Sequence, residues 1–490
     1  MRIRDRAGAR LAGALVIAGL LASCGGDAGG GNGSTASGST AVSPTPTPSP
    51  TPTTAAGCTL RARQDWLLAQ VNEWYLFPET LPTALDPSPY SDLEGYLDAL
   101  TATARAQRKD RYFSYVTSVA EENAYYASGS TGGFGFRLTF DGANRLLVTE
   151  AFEGGPALNA GIDRGAEIVA VGDSAANMRT IASYVAAGND TAFYAAIDPG
   201  TSNATRVFRI SSGGTTRDVT LRTADFTLSP VSSRYGTKVI DDGGRPVGYV
   251  NLRTFIGTAD DQLRSAFATF KARGITDVIV DLRYNGGGLV STAGVFTDLL
   301  GGARAIADVQ SYTTFRASKS GENETRFFQR EAQAIAPTRV AFIGTGGTAS
   351  ASEYVINAMI PYLHGNAALI GSNTYGKPVG QIALDNPACP DDRLRLIAFA
   401  LRNAAQQGEY YDGLATKIEA SCQATDDLTH ALGDPAEAST RAALDFLAGR
   451  SCSRIGASAA LSRTALATPA RRLVTPDRPT TAQRETPGLF

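Results

Sequence analysis

Histidine is nearly missing from this 490-residue chain: only His364 and His430 occur. Two imidazoles cannot build a multi-histidine metal site, and they leave little room for a histidine general base. A charge surplus is missing as well. Lys+Arg total 45 and Asp+Glu 47, a formal net charge of −2, so the basic excess that marks a nucleic-acid-binding surface is absent. Lysine accounts for only six of those 45 basic residues: Lys109, Lys238, Lys271, Lys319, Lys377 and Lys417. In such a chain, a lysine lying among glycines and prolines invites a chemical explanation. Near the start, the apolar run Leu11–Ala22 falls short of the roughly 20 residues a membrane-spanning helix needs. What is plentiful is apolar residues, at 43%, enough for packed cores. The length corresponds to about three domains of ~150 residues.

Four arginines and one aspartate precede that apolar run, which ends in Leu21-Ala22-Ser23-Cys24. The pattern resembles a bacterial lipoprotein signal over residues 1–24, in which Cys24 is acylated and anchors the chain to a membrane. Gly25 after Cys24 resembles outer-membrane sorting. The expected location is therefore the cell envelope, on the periplasmic face of the outer membrane if the host is Gram-negative. Residues 25–57 are rich in Gly, Ser, Thr and Pro and read as a disordered tether. Four cysteines remain: Cys58, Cys389, Cys422 and Cys452. An exported protein meets an oxidising compartment, which predicts two disulfides. Cys58 and Cys452 bracket the folded region, so the expected pairing is Cys58–Cys452 with Cys389–Cys422.

Three regions follow the tether. Residues 58–127 show apolar residues at helical spacing, Trp66, Leu67, Val71, Trp74 and Tyr75 first, and predict a helical region with those side chains in its core. Residues 131–225 change to short strands with glycine turns. Phe136–Phe140 and Arg145–Phe152 flank an Asp-Gly-Ala-Asn turn, and Thr205–Ile210 with Arg217–Arg222 flank Ser-Ser-Gly-Gly. Residues 228–452 alternate strands with helices, an α/β pattern. The strands fall at Pro246–Leu252, Asp277–Leu282 and Arg339–Ile343, the helices at Thr258–Arg273 and Ala351–Leu363. Residues 453–490 lack apolar periodicity and predict a disordered tail.

Three segments carry chemistry. Thr348-Ala349-Ser350-Ala351-Ser352-Glu353 follows a strand and a glycine loop and opens a helix. A serine there sits by the positive end of the helix dipole, beside backbone N–H groups able to hold an oxyanion. Ser350 with Glu353 also reads as a helix capping box. Thr374-Tyr375-Gly376-Lys377-Pro378-Val379-Gly380-Gln381 sets a lysine in a tight turn. A desolvated lysine can lose its proton near neutral pH, and arginine cannot. Asp281-Leu282-Arg283-Tyr284-Asn285-Gly286-Gly287-Gly288 ends a buried strand with a triple glycine, whose N–H groups can approach a substrate carbonyl. A phosphate loop is excluded, because no Gly-Lys-Ser/Thr follows.

Together the three segments resemble the C-terminal (tail-specific) processing serine peptidases. The family pattern is Asp-Leu-Arg-x-Asn-x-Gly-Gly, Ser-Ala-Ser-Ala-Ser-Glu and Thr-Phe/Tyr-Gly-Lys-x-x-x-Gln. The resemblance implies a crotonase-like α/β protease core, an inserted β-rich domain and an N-terminal helical region. It makes Ser350 the nucleophile, Lys377 its base and Gln381 the residue that orients the lysine. Gly287, Gly288 and Ala351 are the candidate oxyanion donors. Departures are Thr348 for the first serine, Gly286 for the usual proline or serine, and an insertion of two residues around Tyr362–Asn366.

The inserted segment, with Gly133-Phe134-Gly135-Phe136 and then Gly154-Gly155-Pro156-Ala157…Ala160-Gly161-Ile162, resembles a circularly permuted PDZ domain. Its glycine turn would hold a peptide's terminal carboxylate, with Phe134 and Phe136 lining a pocket for the last side chain. The expected function is a serine endopeptidase acting on exported proteins or peptides with free C-termini. It calls for no metal or organic cofactor and no nucleic acid. The competing reading is a catalytically silent peptide-binding lipoprotein that keeps the groove and uses the core as scaffold.

Overall fold

A computed structural model describes residues 58–188, 190–200, 202–456 and 472–490. Cys24, the signal and the tether lie outside the described residues.

The strand at Asp277–Asp281 reads Asp-Val-Ile-Val-Asp, and its side chains alternate between two cores. Val278 and Val280 join one apolar cluster and Ile279 the other, as the two-residue period of a strand requires. A strand apolar on both faces belongs inside a parallel sheet. The sheet order is Thr237–Asp241, Pro246–Asn251, Asp277–Asp281, Arg339–Gly344, Ala367–Gly371 and Ala420–Gln423. The first pair is antiparallel and the remainder are parallel. Helices Ala259–Ala272, Val290–Leu300 and Ala351–Leu363 share one cluster with the sheet, through Phe267, Phe296 and Val355. Helix Ala438–Leu447 belongs to the other, through Ala443 and Leu444. Asp281 pairs with Ile343, and Gly344 with Gly371. The loops after these three strands therefore leave the sheet side by side, at the carboxyl edge where α/β folds collect ligand sites.

A second, antiparallel sheet runs Tyr115–Ser118, Asp392–Arg402, Val309–Phe315 and Glu324–Phe327, with Val379–Asp385 also paired to Asp392–Arg402. Leu394, Leu396 and Ile397 share a core with Leu67, Val71 and Tyr75 of helix Leu60–Trp74. The helical region is thus a cap built onto this sheet, and it donates one strand to it. That strand pairing is absent from a local reading, because its partners, from Tyr115 with Arg395 to Ser118 with Asp392, lie far apart in sequence and meet only through tertiary contact.

The insert begins and ends on a two-stranded ribbon, Ser130–Gly133 against Ala224–Thr227. Between them lies a sheet of Phe136–Phe140, Leu146–Ala151, Glu167–Gly172, Thr205–Ser212 and Thr215–Arg222. Helices Ile181–Ala187 and Asp190–Ile197 contribute Ile181, Tyr184, Phe193 and Ile197 to its core.

Two expectations are corrected. The disulfides join Cys58 to Cys389 and Cys422 to Cys452, with Cα separations of 5.2 and 5.4 Å. Cys389 lies in the turn beyond Val379–Asp385, which the cap covers: Arg63 holds Asp392 at 2.6 Å. Cys452 returns to the edge strand of the parallel sheet, where Gln423 N–H donates to Ser453 O at 2.7 Å. Cys422–Cys452 closes a loop with a sequence separation of 30, worth roughly 3–4 kcal/mol by loop entropy. Replacing both cysteines with serine should lower unfolding stability by about that amount, read from the urea midpoint at unchanged slope.

The second correction concerns the tail. Residues 472–490 form a two-residue strand, Arg472–Leu473, paired to Phe136–Phe140, and a short helix, Thr481–Glu485. Val474, Leu489 and Phe490 are buried. The segment has no periodicity of its own because its partners are all elsewhere in the chain.

Candidate active site

The three loops at the sheet edge are tied to one another by their backbones. Ala349 N–H and Ser352 Oγ both donate to Asn285 O at 3.0 Å, and Asn285 Nδ2 donates to Leu252 O at 2.9 Å. Thr348 Oγ1 donates to Leu282 O at 2.8 Å, so threonine supplies the hydroxyl of the serine that the family pattern has there. Tyr375 N–H donates to Thr348 O at 2.9 Å, joining the lysine turn to the serine loop. Residues His364–Asn366 form a short turn at the far end of the helix from Ser350.

Ser350 is held at φ 53°, ψ −114°, a region that side chains other than glycine's adopt at a cost of about 1–3 kcal/mol. Glu353 holds it there: its carboxylate accepts the Ser350 N–H at 3.0 Å. The same fully buried carboxylate accepts Gly376 N–H and Lys377 N–H, both at 2.7 Å, and Thr374 Oγ1 at 2.6 Å. Glu353 thus binds the backbone of Ser350 and the backbone of Lys377 at once. Sequence reading gave it only the capping role; the buried four-donor role depends on the lysine turn arriving from the next loop.

Gly287 lies against Ser350, since a Cβ built on it would stand 2.8 Å from Ser350 Cβ. Its N–H, however, donates to Asn285 Oδ1 at 2.9 Å within its own loop. Of the two candidate donors, Gly287 N–H is therefore already in use. Among the described residues, the N–H groups of Gly288 and Ala351 have no acceptor.

Lys377 Nζ donates to Gln381 Oε1 at 3.0 Å, and Gln381 Nε2 donates to Phe113 O. The Phe113 ring lies 5.3 Å from Nζ. Arg111, also from the cap, clasps Tyr375 O and Gly376 O at 2.9 and 2.6 Å. Burial pushes the Lys377 ammonium below the ordinary lysine range; Glu485 and Asp110 oppose that shift, while Arg484 and Arg395 reinforce it. The two histidines lie elsewhere, His364 beside Glu419 and His430 beside Asp427. No cluster of His, Cys, Asp and Glu suited to a metal occurs among the described residues.

Beneath the glycine loop, buried Arg283 pairs with Asp281 at 2.8 Å and with Glu437 at 2.9 Å. Tyr284, at φ 64°, sends its hydroxyl to Asp426, and Arg164 of the insert donates to that hydroxyl at 3.1 Å. Asp426, Glu437 and Arg164 stand in no motif, and only the fold brings them here.

The glycine turn of the insert contacts a peptide segment of the chain itself. Gly135 N–H and Phe136 N–H donate to Phe490 O at 2.8 and 3.2 Å. Phe134 and Phe136 are buried with Phe208 and Phe490 in one cluster. The side-chain position of Gly133, rather than that of Gly135, is the one that lies against Phe490. A Cβ on Gly133 would stand 2.7 Å from the Phe490 carbonyl carbon, whereas one on Gly135 would meet Gly155 Cα at 2.7 Å.

Comparison with known proteins agrees with this architecture. The Peptidase family S41 model matches residues 246–402, and the Peptidase S41 N-terminal domain matches 62–115. The chain is 27% identical over 270 residues to a chloroplastic C-terminal processing peptidase of Tetradesmus obliquus, covering 53% of this chain and 54% of that one. It is 28% identical over 255 residues to a carboxyl-terminal-processing protease of Synechocystis sp., covering 51% and 54%. It therefore spans about half the length of these curated relatives. A Bacteroides fragilis crystal structure assigned to the S41 proteases superposes with a TM-score of 0.60 at 22% identity, over 78% of this chain and 97% of that one, which shows the shared fold. The S41 domain thus carries the serine, lysine and glycine loops and the S41 N-terminal domain lies in the cap, so the chain holds both domains of peptidase family S41.

Proposed function

We propose that this chain is a serine endopeptidase that cleaves exported proteins or peptides near their C-terminal tails, with Ser350 and Lys377 as its dyad. The observation that carries the reading is the Glu353 carboxylate, bonded to both Ser350 N–H and Lys377 N–H. Neutral Lys377 takes the Ser350 proton as Oγ attacks the substrate carbonyl. Gly288 N–H and Ala351 N–H meet the oxyanion. The protonated lysine then gives its proton to the leaving amine, and water, deprotonated by the same lysine, hydrolyses the acyl-enzyme. Gln381 orients Nζ without reacting. The insert acts as a PDZ domain that receives the substrate's terminal carboxylate at Gly133–Phe136, and acylated Cys24 holds the enzyme to a cell-envelope membrane.

A fluorophosphonate probe tests the nucleophile: it should label the wild type and leave Ser350→Ala unlabelled, with an unstructured protein cleaved only by the former. Labelling of both would reject Ser350. Tail reading has its own test. Amidating a substrate's C-terminus removes the charge that the glycine-turn donors would hold, a loss of about 1.5–3 kcal/mol. kcat/KM should fall by about tenfold or more, and equal cleavage of the free-acid and amidated peptides would rule tail reading out.

A further inference from the structure

The last segment of the chain uses the donors that an incoming peptide would need. Along strand Phe136–Phe140, Phe136 N–H and Leu138 N–H donate to Phe490 O and Gly488 O, and Phe490 N–H returns to Phe136 O at 2.9 Å. This is addition of an antiparallel strand to an open sheet edge, the way groove domains take peptides. The Phe490 ring enters the cluster of Phe134, Phe136 and Phe208 and stacks near Tyr194 at 6.3 Å.

The same segment also reaches the catalytic loops. Gly286 N–H donates to Glu485 O at 2.9 Å. A Cβ at Gly286 would stand 2.1 Å from Arg484 O. Gly286 is the position where the family pattern carries proline or serine. Proline would remove the donated N–H, and either residue would strike the Arg484 carbonyl. That departure from the pattern therefore matches the seat of the tail. Tyr125 Oη and Tyr126 Oη bond Thr486 and Glu485 at 3.0 and 2.9 Å, which fixes the segment between groove and glycine loop.

We propose that residues 472–490 are a resident ligand of this chain's own peptide groove, which a substrate ending in a Leu-Phe-like apolar pair must displace before it reaches Ser350. The inference rests on the peptidase reading given above for its effect on cleavage, but not for occupancy of the groove. Each N–H of Gly135, Phe136 and Leu138 is a single donor already in use, so tail and substrate exclude one another. A tethered ligand acts at an effective concentration in the mM range. Against a groove affinity of order 100 µM, this raises the apparent KM about tenfold.

Occupancy is measured without chemistry, by hydrogen exchange on the full chain carrying Ser350→Ala. The amides of Gly286, Leu138 and Phe490 should be protected, and a synthetic peptide of residues 472–490 in excess should leave them protected while a Phe490→Asp chain loses that protection. Cleavage is read on a peptide ending in Gly-Leu-Phe. Phe490→Asp, Gly286→Ser and deletion of 472–490 should each lower KM, the first by about tenfold, and the free 472–490 peptide should compete with substrate in the deleted chain. Unprotected amides in the Ser350→Ala chain would overturn the proposal, as would an unchanged KM in both Phe490→Asp and the deletion. Protected amides in a chain that cleaves nothing would overturn the peptidase reading and leave the resident ligand standing.

Discussion

Lys377→Arg should abolish peptide cleavage as fully as Ser350→Ala does, by at least ~10³-fold in kcat/KM. The reasoning is protonic. A serine hydroxyl is a weak nucleophile until a base takes its proton, and the two histidines bond Glu419 and Asp427 instead. Burial lowers the Lys377 pKa and so favours the neutral amine. A guanidinium stays charged throughout this range, and its planar fork would have to replace a single contact to Gln381 Oε1. The active form is the unprotonated amine, so wild-type kcat/KM should rise with pH through the lowered lysine pKa and then level. Measuring kcat/KM from acid to mildly alkaline pH, with circular dichroism to confirm the fold, checks both points. Turnover by Lys377→Arg within tenfold of wild type would reject lysine as the base.

Glu353→Gln should be the most damaging change among residues that do not react, lowering kcat by about 100-fold. Two carboxylate oxygens serve four donors: Thr374 Oγ1 and Gly376 N–H on one, Ser350 N–H and Lys377 N–H on the other. An amide turns one oxygen into a donor, which leaves two buried donors facing N–H groups at a cost of about 1–3 kcal/mol each. Ser350 then loses what holds its positive φ, or the lysine turn loosens. Either shift moves Oγ away from Nζ. Steady-state kinetics should show the loss mainly in kcat, with KM little changed, because the peptide groove is remote. An equal loss confined to KM would reject the positioning role.

Much of the fold was legible because the local signals agreed. The strand Asp277–Asp281 is apolar throughout its middle and flanked by loop residues, and the helix from Ala351 opens on a serine and a glutamate three residues later. The two hairpins of the insert announced themselves by their turn residues. What was not legible depends on residues far apart in sequence. The antiparallel sheet that carries Gln381 joins a strand of the cap to Asp392–Arg402, and no local pattern marks that pairing. The disulfides failed for the same reason: bracketing the chain suggested Cys58 with Cys452, but the cap covers the turn of Cys389. At the site, the motifs already set Ser350, Lys377 and the glycine loop apart, and the fold brings their three loops to one edge of the parallel sheet. That Gly287 N–H is already in use depends on one side chain, Asn285, folding back on its own loop.

The charges between insert and core bear on how this molecule moves. Arg253 of the core is buried against Glu150 and Glu153 of the insert, at 2.6 and 2.8 Å. Arg164 reaches from the insert to Asp426 at 2.9 Å. Swinging the insert outward as a rigid body would pull these ions apart, and stripping one partner from a buried pair costs about 3–5 kcal/mol. Several such pairs make a spontaneous hinge opening a rare event. Access to the cleft is then expected to change by strand exchange at a stationary edge, as one peptide peels away and another anneals, while the two lobes keep their mutual orientation.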